Sequence, residues 1–291
     1  MKLQLWFLLL IAMATFIHLT PASGQTDSAV LVGAGDIAGC ETDRAETTAK
    51  LLDKIPGTVF TAGDNAYGSG TEQQFAQCYQ RSWGRHRERT RPAPGNHDYE
   101  TDQATPYFKY FGANAGPFGR GYYRYKLGAW LILSLNSNTN ARTWGGAQEQ
   151  WLIQELAAHR SACTLAYWHH PLFSSSTTHG GQAQMQRINK ILHAHGTDIV
   201  IAGHDHIYER FAPQDSEGRA DSRGIRHFVV GTGGAKLYAI GPVRPNSEAR
   251  NVTDHGVLKL TLHGASYDWQ FVPVAGGKFS DRGSAKCSPA K

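Results

Sequence analysis

Short apolar runs and longer amphipathic ones alternate along this chain. "AVLVGAGD", "TVFTAGD", "TRPAPGNHD", "WLILSLNS", "TLAYWHH" and "DIVIAGHDH" are β-branched or apolar runs that stop at glycine or polar clusters, which predicts buried strands. Between several of them, "ETDRAETTAKLLDKI", "TEQQFAQCYQRSW", "AQEQWLIQELAAHR" and "AQMQRINKILHAH" space apolar residues by three and four and predict helices. Thr42 is the expected cap of the first helix. After residue 220 the helical spacing ends, and "IRHFVVGTGG", "HGVLKLTLHG" and "SYDWQFVPV" predict a mostly antiparallel closing segment. Alternating strands and helices followed by a run of strands predict an α/β fold of two packed mixed β-sheets flanked by helices.

The N-terminus stands outside this pattern. Met1 and Lys2, the apolar run "LWFLLLIAMATFI" and then "TPASGQ", with Ala22 and Gly24 at cleavage positions, have the three-part layout of a secretory signal peptide. The run is shorter than the ~20 residues that a membrane span needs. A signal over residues 1–24, one catalytic domain over 25–291 and a secreted or periplasmic location, with no membrane span after cleavage, are therefore expected. Cys40, Cys78, Cys163 and Cys287 remain after cleavage. An even number in an exported chain predicts two disulfides, with three pairings open. "NVT" at 251–253 is a glycosylation sequon.

Charge narrows the partners only a little. The formal net charge is +5, but the basic residues are scattered apart from "RSWGRHRERTR" at 81–91. That run lacks helical periodicity and interleaved aromatics, so it reads as a solvated face, and no specific nucleic-acid partner is expected. A positive field still favours small phosphorylated substrates.

Asp36, Asp64, Asn96, His169, His204 and His206 all fall at or just after the C-terminal end of a predicted strand. Ligands of α/β proteins bind at that end, so these residues can converge. Gly33, Gly35 and Ala38 also fit a dinucleotide fingerprint, with Asp53 as the ribose acid. That reading fails locally. "AGCETD" interposes a loop where a helix must begin, and Asp53 ends a helix instead of a strand.

Oxygen and nitrogen donors without thiolate suit Fe, Mn or Zn in a hydrolytic site. One carboxylate can bridge two cations about 3.5–4 Å apart, an arrangement that clamps both oxygens of a phosphoryl transfer. His204 and His206, two residues apart on extended backbone, would face the same way with Asp205 turned aside.

The blocks "GDIA", "GDNAY", "GNHD", "HHP" and "GHDHIYER" together resemble, in order, those of the calcineurin-like metallophosphoesterases, and of the purple acid phosphatases in particular. The resemblance runs from about residue 30 to 230. Ala38 stands where most of the superfamily has a histidine ligand, while Tyr67, three residues after Asp64, stands where the purple acid phosphatases place a tyrosine that binds ferric iron. The resemblance implies two metal ions: Fe(III) held by Asp36, Tyr67 and His206, and Fe, Zn or Mn held by Asn96, His169 and His204, with Asp64 bridging. In "WHHP" the family pattern puts the ligand at His169, leaving His170 to support it.

It further implies that His97 contacts the phosphate and protonates the leaving group, and that His179 contacts substrate as in plant-type members. The implied activity is hydrolysis of phosphate monoesters by attack of a metal-bound hydroxide. A phosphodiesterase or nucleotidase on the same scaffold, and a non-catalytic secreted metal-binding module, are the alternatives. The β-sandwich domain that precedes the catalytic domain of large plant-type members is not expected here, because the first strand starts almost directly after the expected signal, so substrate preference is not carried over from them.

Overall fold

The computed structural model describes residues 28–139, 145–159, 161 and 163–288; the expected signal peptide, residues 1–24, lies outside them. In chain order the strands are β1 (Ala29–Ala34), β2 (Thr58–Ala62), β3 (Thr90–Ala93), β4 (Tyr123–Leu127), β5 (Trp130–Ser134), β6 (Cys163–Tyr167) and β7 (Ile199–Ala202). There follow β8 (Tyr208–Phe211), β9 (Arg226–Val230), β10 (Ser247–Asn251), β11 (Gly256–Leu262), β12 (Ser266–Pro273) and β13 (Arg282–Lys286). The helices are α1 (Arg44–Lys54), α2 (Glu72–Gln74), α3 (Thr105–Phe111), α4 (Gly146–Ala158) and α5 (Gln186–Ala194).

Two mixed sheets result, as the pattern predicts. One has the order β13-β12-β11-β1-β2-β3 and the other β10-β8-β9-β7-β6-β5-β4. Side chains alternate across each strand, and the alternation sorts the second sheet's residues into two cores. Trp130, Ile132, Leu165, Ile199 and Ile201 join Leu31, Phe60 and Leu258 of the first sheet. Leu131, Leu133, Ala166 and Val200 turn the other way and pack on Leu152 of α4 and on Ile188 and Leu192 of α5. On the first sheet, Ala49 and Leu52 of α1 close the core.

Strands β1, β2 and β3 are mutually parallel, as are β5, β6, β7 and β9. The sandwich therefore presents the C-terminal ends of β1, β2, β3, β6 and β7 to the loops that carry the candidate residues. Pro92 is tolerated in β3 because that strand is the edge of its sheet.

Several local expectations change. The closing segment pairs mostly antiparallel, as expected, but the strand at 226–230 also runs parallel to β7. Asp43, not Thr42, precedes α1, and its side chain makes no cap hydrogen bond. The predicted helix "TEQQFAQCYQRSW" begins with a capping box between Thr71 and Gln74, then widens into a five-residue turn over Phe75–Tyr79. Two constraints act there: Cys78 is bonded to Cys40, and Phe75 and Tyr79 are buried against Tyr110 and Phe111.

The charged residues of the basic run are largely exposed, as read, with Arg81, Arg85, Arg87 and Glu88 on the surface, and two of the cations are tied back to α1. Arg85 pairs with Glu46 at 2.6 Å and Asp53 at 2.8 Å, and Arg89 donates to the carbonyls of Leu52, Ile55 and Gly57 at the end of α1. Asp53 is thus engaged away from any nucleotide. Gly33 is accounted for by strand packing, since an added Cβ would strike the Phe60 carbonyl of β2.

All four cysteines pair, Cys40 with Cys78 and Cys163 with Cys287. Asn251 of the sequon is buried, with Nδ2 donating to the Asp254 carbonyl at 2.7 Å and Oδ1 accepting from the Asp254 backbone at 3.0 Å. Its amide closes the turn after β10. Among the described residues no helix is long and apolar enough to cross a membrane.

Candidate metal centre

Five loops converge at the shared strand ends. Asp36 follows β1 and Asp64 follows β2, both buried and both in the left-handed region, with φ of 61° and 51°. Short polar side chains are the non-glycine residues best suited to that conformation, and here it turns each carboxylate inward. The Tyr67 hydroxyl lies 3.0 Å from Asp36 Oδ1 and 3.0 Å from Asp64 Oδ2, and 3.2 Å from His206 Nε2. His206 Nδ1 donates to the Lys236 carbonyl at 2.8 Å, which leaves Nε2 facing Tyr67 and Asp36.

The second half of the cluster has the same logic. His169 Nδ1 donates to the Ala62 carbonyl at 2.8 Å, so Nε2 faces Asn96 Oδ1 at 3.0 Å, Asp64 Oδ2 at 3.3 Å and His204 Nδ1 at 3.2 Å. Asp64 thus touches both halves. The glycine of each block is a packing requirement: a Cβ on Gly63 would collide with the His169 ring, and one on Gly95 with Asp64.

His204 corrects one expectation. Its backbone is left-handed, with φ of 68°, not extended. His204 and His206 still reach the same cluster because turns, not strand alternation, aim them: Asp205 N–H donates to Gly203 O and Ile207 N–H to Asp205 O. The His204 N–H donates to Asp36 Oδ2 at 2.9 Å.

Burial and charge oppose one another at His169 and Asp64 and act together at Tyr67. Burial pushes the His169 imidazole down, but the adjacent Asp64 carboxylate outweighs it and raises the group to about 9. Burial likewise opposes ionisation of Asp64, yet His169 holds that carboxyl below its ordinary range. Tyr67 is raised well above 10 by burial, then by Asp36 and Asp64. His170, pushed down to about 3 mainly by burial, has Nδ1 2.7 Å from Ser137 Oγ.

This donor set fits cations. Single ligand atoms from Asp36, Asp64 and His169 lie within 4.8 Å of one another, as do those from His169, His170 and His204. The carboxylates' ion partners are His97, His169 and His206. Protons on a phenol and on imidazoles thus sit where metal charge would satisfy the same oxygens.

His97 and His179 stand at the rim. His97 is about one-third exposed, with Nε2 3.8 Å from Asp64 Oδ2 and Nδ1 against the Gly68 carbonyl. His179 is exposed, and its ring stacks on His204 with centroids 4.1 Å apart. Two participants escaped the sequence reading. Asp98, the last residue of "GNHD", is fully buried and accepts from Gly95 N–H at 2.8 Å and Asn65 Nδ2 at 2.9 Å, fastening the Asn96 loop to the Asp64 loop. Tyr238 stacks on His206 at 4.0 Å, and nothing in "GGAKLYAIG" marks it.

Two stacked mixed sheets with this Asp, His, Asn and Tyr cluster at their shared strand ends are the architecture of the calcineurin-like phosphoesterase fold. The chain belongs to the calcineurin-like phosphoesterase family, whose profile matches residues 30–208, and within it is purple acid phosphatase-like. Purple acid phosphatase 15 of Arabidopsis thaliana is 28% identical over 236 residues, 69% of this chain and 44% of the relative. Purple acid phosphatase 21 of the same plant is 27% identical over 62% of this chain and 46% of its own length. The chain thus spans less than half the length of these curated relatives.

The same fold occurs in purple acid phosphatase PPD1 from yellow lupin (Lupinus luteus) seeds, with a TM-score of 0.71, 20% identity and coverage of 91% of this chain and 55% of that one. It occurs also in GAP50, the anchor in the inner membrane complex of Plasmodium, with a TM-score of 0.67, 14% identity and coverage of 91% and 90%.

Proposed function

We propose that this protein is an exported phosphatase that hydrolyses phosphate monoesters at a dinuclear metal centre, with residues 1–24 as its signal peptide and 25–291 as one catalytic domain. The carrying observation is that Asp64 is shared between two donor groups, with Tyr67 at 3.0 Å on one side and His169 at 3.3 Å on the other. Asp36, Tyr67 and His206 would hold the first cation, Fe(III), and Asn96, His169 and His204 the second, Fe, Zn or Mn, with Asp64 the carboxylate common to both sets. When bound, two such cations activate water and neutralise phosphoryl oxygens.

The chain's own groups supply the rest. Carbonyls of Ala62 and Lys236 fix His169 and His206 so that each ring offers one lone pair to the centre. Asp98 holds the Asn96 and His97 loop in register with Asp64. His97, at the open rim, protonates the departing oxygen, and His179 contacts the substrate from the opposite loop.

Assaying the metal-loaded protein with an aryl phosphate monoester, the matching diester and a nucleotide under one condition tests the reading. Preference for the monoester supports it, and preference for the diester or nucleotide reassigns the substrate. Stoichiometric metal with no turnover would place the chain with the non-catalytic alternative.

A further inference from the structure

We propose that Glu209 is a positioning residue that sets His179 and Tyr238 over the two halves of the centre and so sets its grip on the phosphoryl group. The inference rests on the phosphatase reading above. Glu209 lies on β8 with its side chain fully buried. Its carboxylate accepts from Ser175 N–H at 2.7 Å, from Ser175 Oγ at 2.6 Å and from Ser247 Oγ. A buried carboxylate held by neutral donors is costly to desolvate, so these bonds specify geometry at the expense of stability.

Ser175 is the node of two loops. Its carbonyl accepts from Gly241 N–H at 2.7 Å and its hydroxyl oxygen from Arg244 N–H at 2.9 Å, while Thr177 N–H donates to the Ala239 carbonyl at 3.0 Å. The loop after His169 is thereby paired with the segment that follows β9. The first carries His179, stacked on His204 at 4.1 Å; the second carries Tyr238, stacked on His206 at 4.0 Å. The two rings meet at 5.7 Å. Among the described residues neither ring has a side-chain hydrogen bond; His179 N–H donates to Asp205 Oδ1 at 3.3 Å and Tyr238 N–H to the His206 carbonyl at 2.9 Å, and the Ser175 contacts that Glu209 fixes set the course of both loops up to these points.

The test is a mutant cycle on the metal-loaded protein. Glu209→Gln and Ser175→Ala are each made alone and in a background that lacks both rings, His179→Ala with Tyr238→Ala. Metal content, melting temperature, inorganic phosphate affinity, and KM and kcat for an aryl monoester are measured for each. The expected result is unchanged metal content, phosphate affinity about tenfold weaker in each single variant, KM raised more than kcat falls, and less than about a twofold further loss in the ringless background.

Equal losses in both backgrounds would show a merely structural carboxylate, and unchanged phosphate affinity in both single variants would overturn the proposal outright. If Glu209→Gln does not fold, Ser175→Ala carries the cycle. A wild-type protein that binds phosphate but turns over no ester removes the phosphatase reading and leaves the cycle readable. One that binds no phosphate overturns both.

Discussion

The side chains of Tyr67 and Asp36 meet at 3.0 Å across the ends of β1 and β2, with the phenol proton facing a buried carboxylate. That proton is what a ferric ion would displace. Burial and the two aspartates hold the phenol protonated, so only a strong local cation reverses the balance. Tyr67→Phe should leave the fold intact, abolish the visible tyrosinate band of the iron-loaded protein and weaken iron binding by at least about tenfold. Absorption spectra and metal analysis of both proteins decide it. A band of equal strength in the variant would remove Tyr67 from the ligand set.

His97 makes a second case, because its ring stands at the rim of the buried cluster, 3.8 Å from Asp64 Oδ2 and against the Tyr67 ring at 4.6 Å between centroids. His97→Ala should therefore keep its metals while kcat falls by about 10²–10⁴-fold. Esters with poor leaving groups should suffer most, since they depend on the donated proton. Equal loss for good and poor leaving groups would end its role as the acid.

The positions of these candidate ligands were legible because the polar residues sit at strand ends, where apolar runs stop abruptly on "GD", "GNH", "HHP" and "GHDH". The means of aiming them was not. His204 reaches the cluster through a left-handed turn, which no alternation of polar and apolar residues encodes. Tyr238 and Glu209 act through contacts between segments far apart in sequence. The segment around Cys78 reads as a regular helix, but its disulfide and the aromatic cluster override the helical spacing. Strands β4, β10 and β13 carry charged residues at exposed positions and lack the apolar runs that announced the others.

The two disulfides should separate by what they support. Chain-entropy arguments give about 4 kcal/mol for the 38-residue separation of Cys40 and Cys78 and about 5 kcal/mol for the 124-residue separation of Cys163 and Cys287. Cys40 lies two residues after Ala38, whose carbonyl accepts from the Tyr67 N–H at 2.7 Å, whereas Cys163 and Cys287 tie β6 to the segment just after β13. Replacing Cys40 and Cys78 by serine should lower both the melting temperature and iron retention. Replacing the other pair should lower the melting temperature alone. Matching iron loss in both variants would refute this division.

Asp198 supplies a pH dependence away from the candidate metal centre. Its oxygens accept from Thr164 N–H at 2.9 Å and Ser288 N–H at 2.6 Å, yet burial dominates and raises the carboxyl to about 6. The unfolded group titrates near roughly 3.9. A raised folded value means that the folded state binds the proton more tightly, so the associated stability is full below about pH 4 and is lost as pH rises through about 6. A shift of about two units corresponds to about 3 kcal/mol.

Asp198→Asn cannot titrate, and its amide nitrogen opposes one of the two backbone donors at every pH. The variant should therefore be less stable than the wild type at pH 4 and should regain about 3 kcal/mol relative to it by pH 7. Urea unfolding of both proteins across that range measures the gap. A gap that does not change with pH would mean that the two backbone donors hold Asp198 charged in spite of its burial.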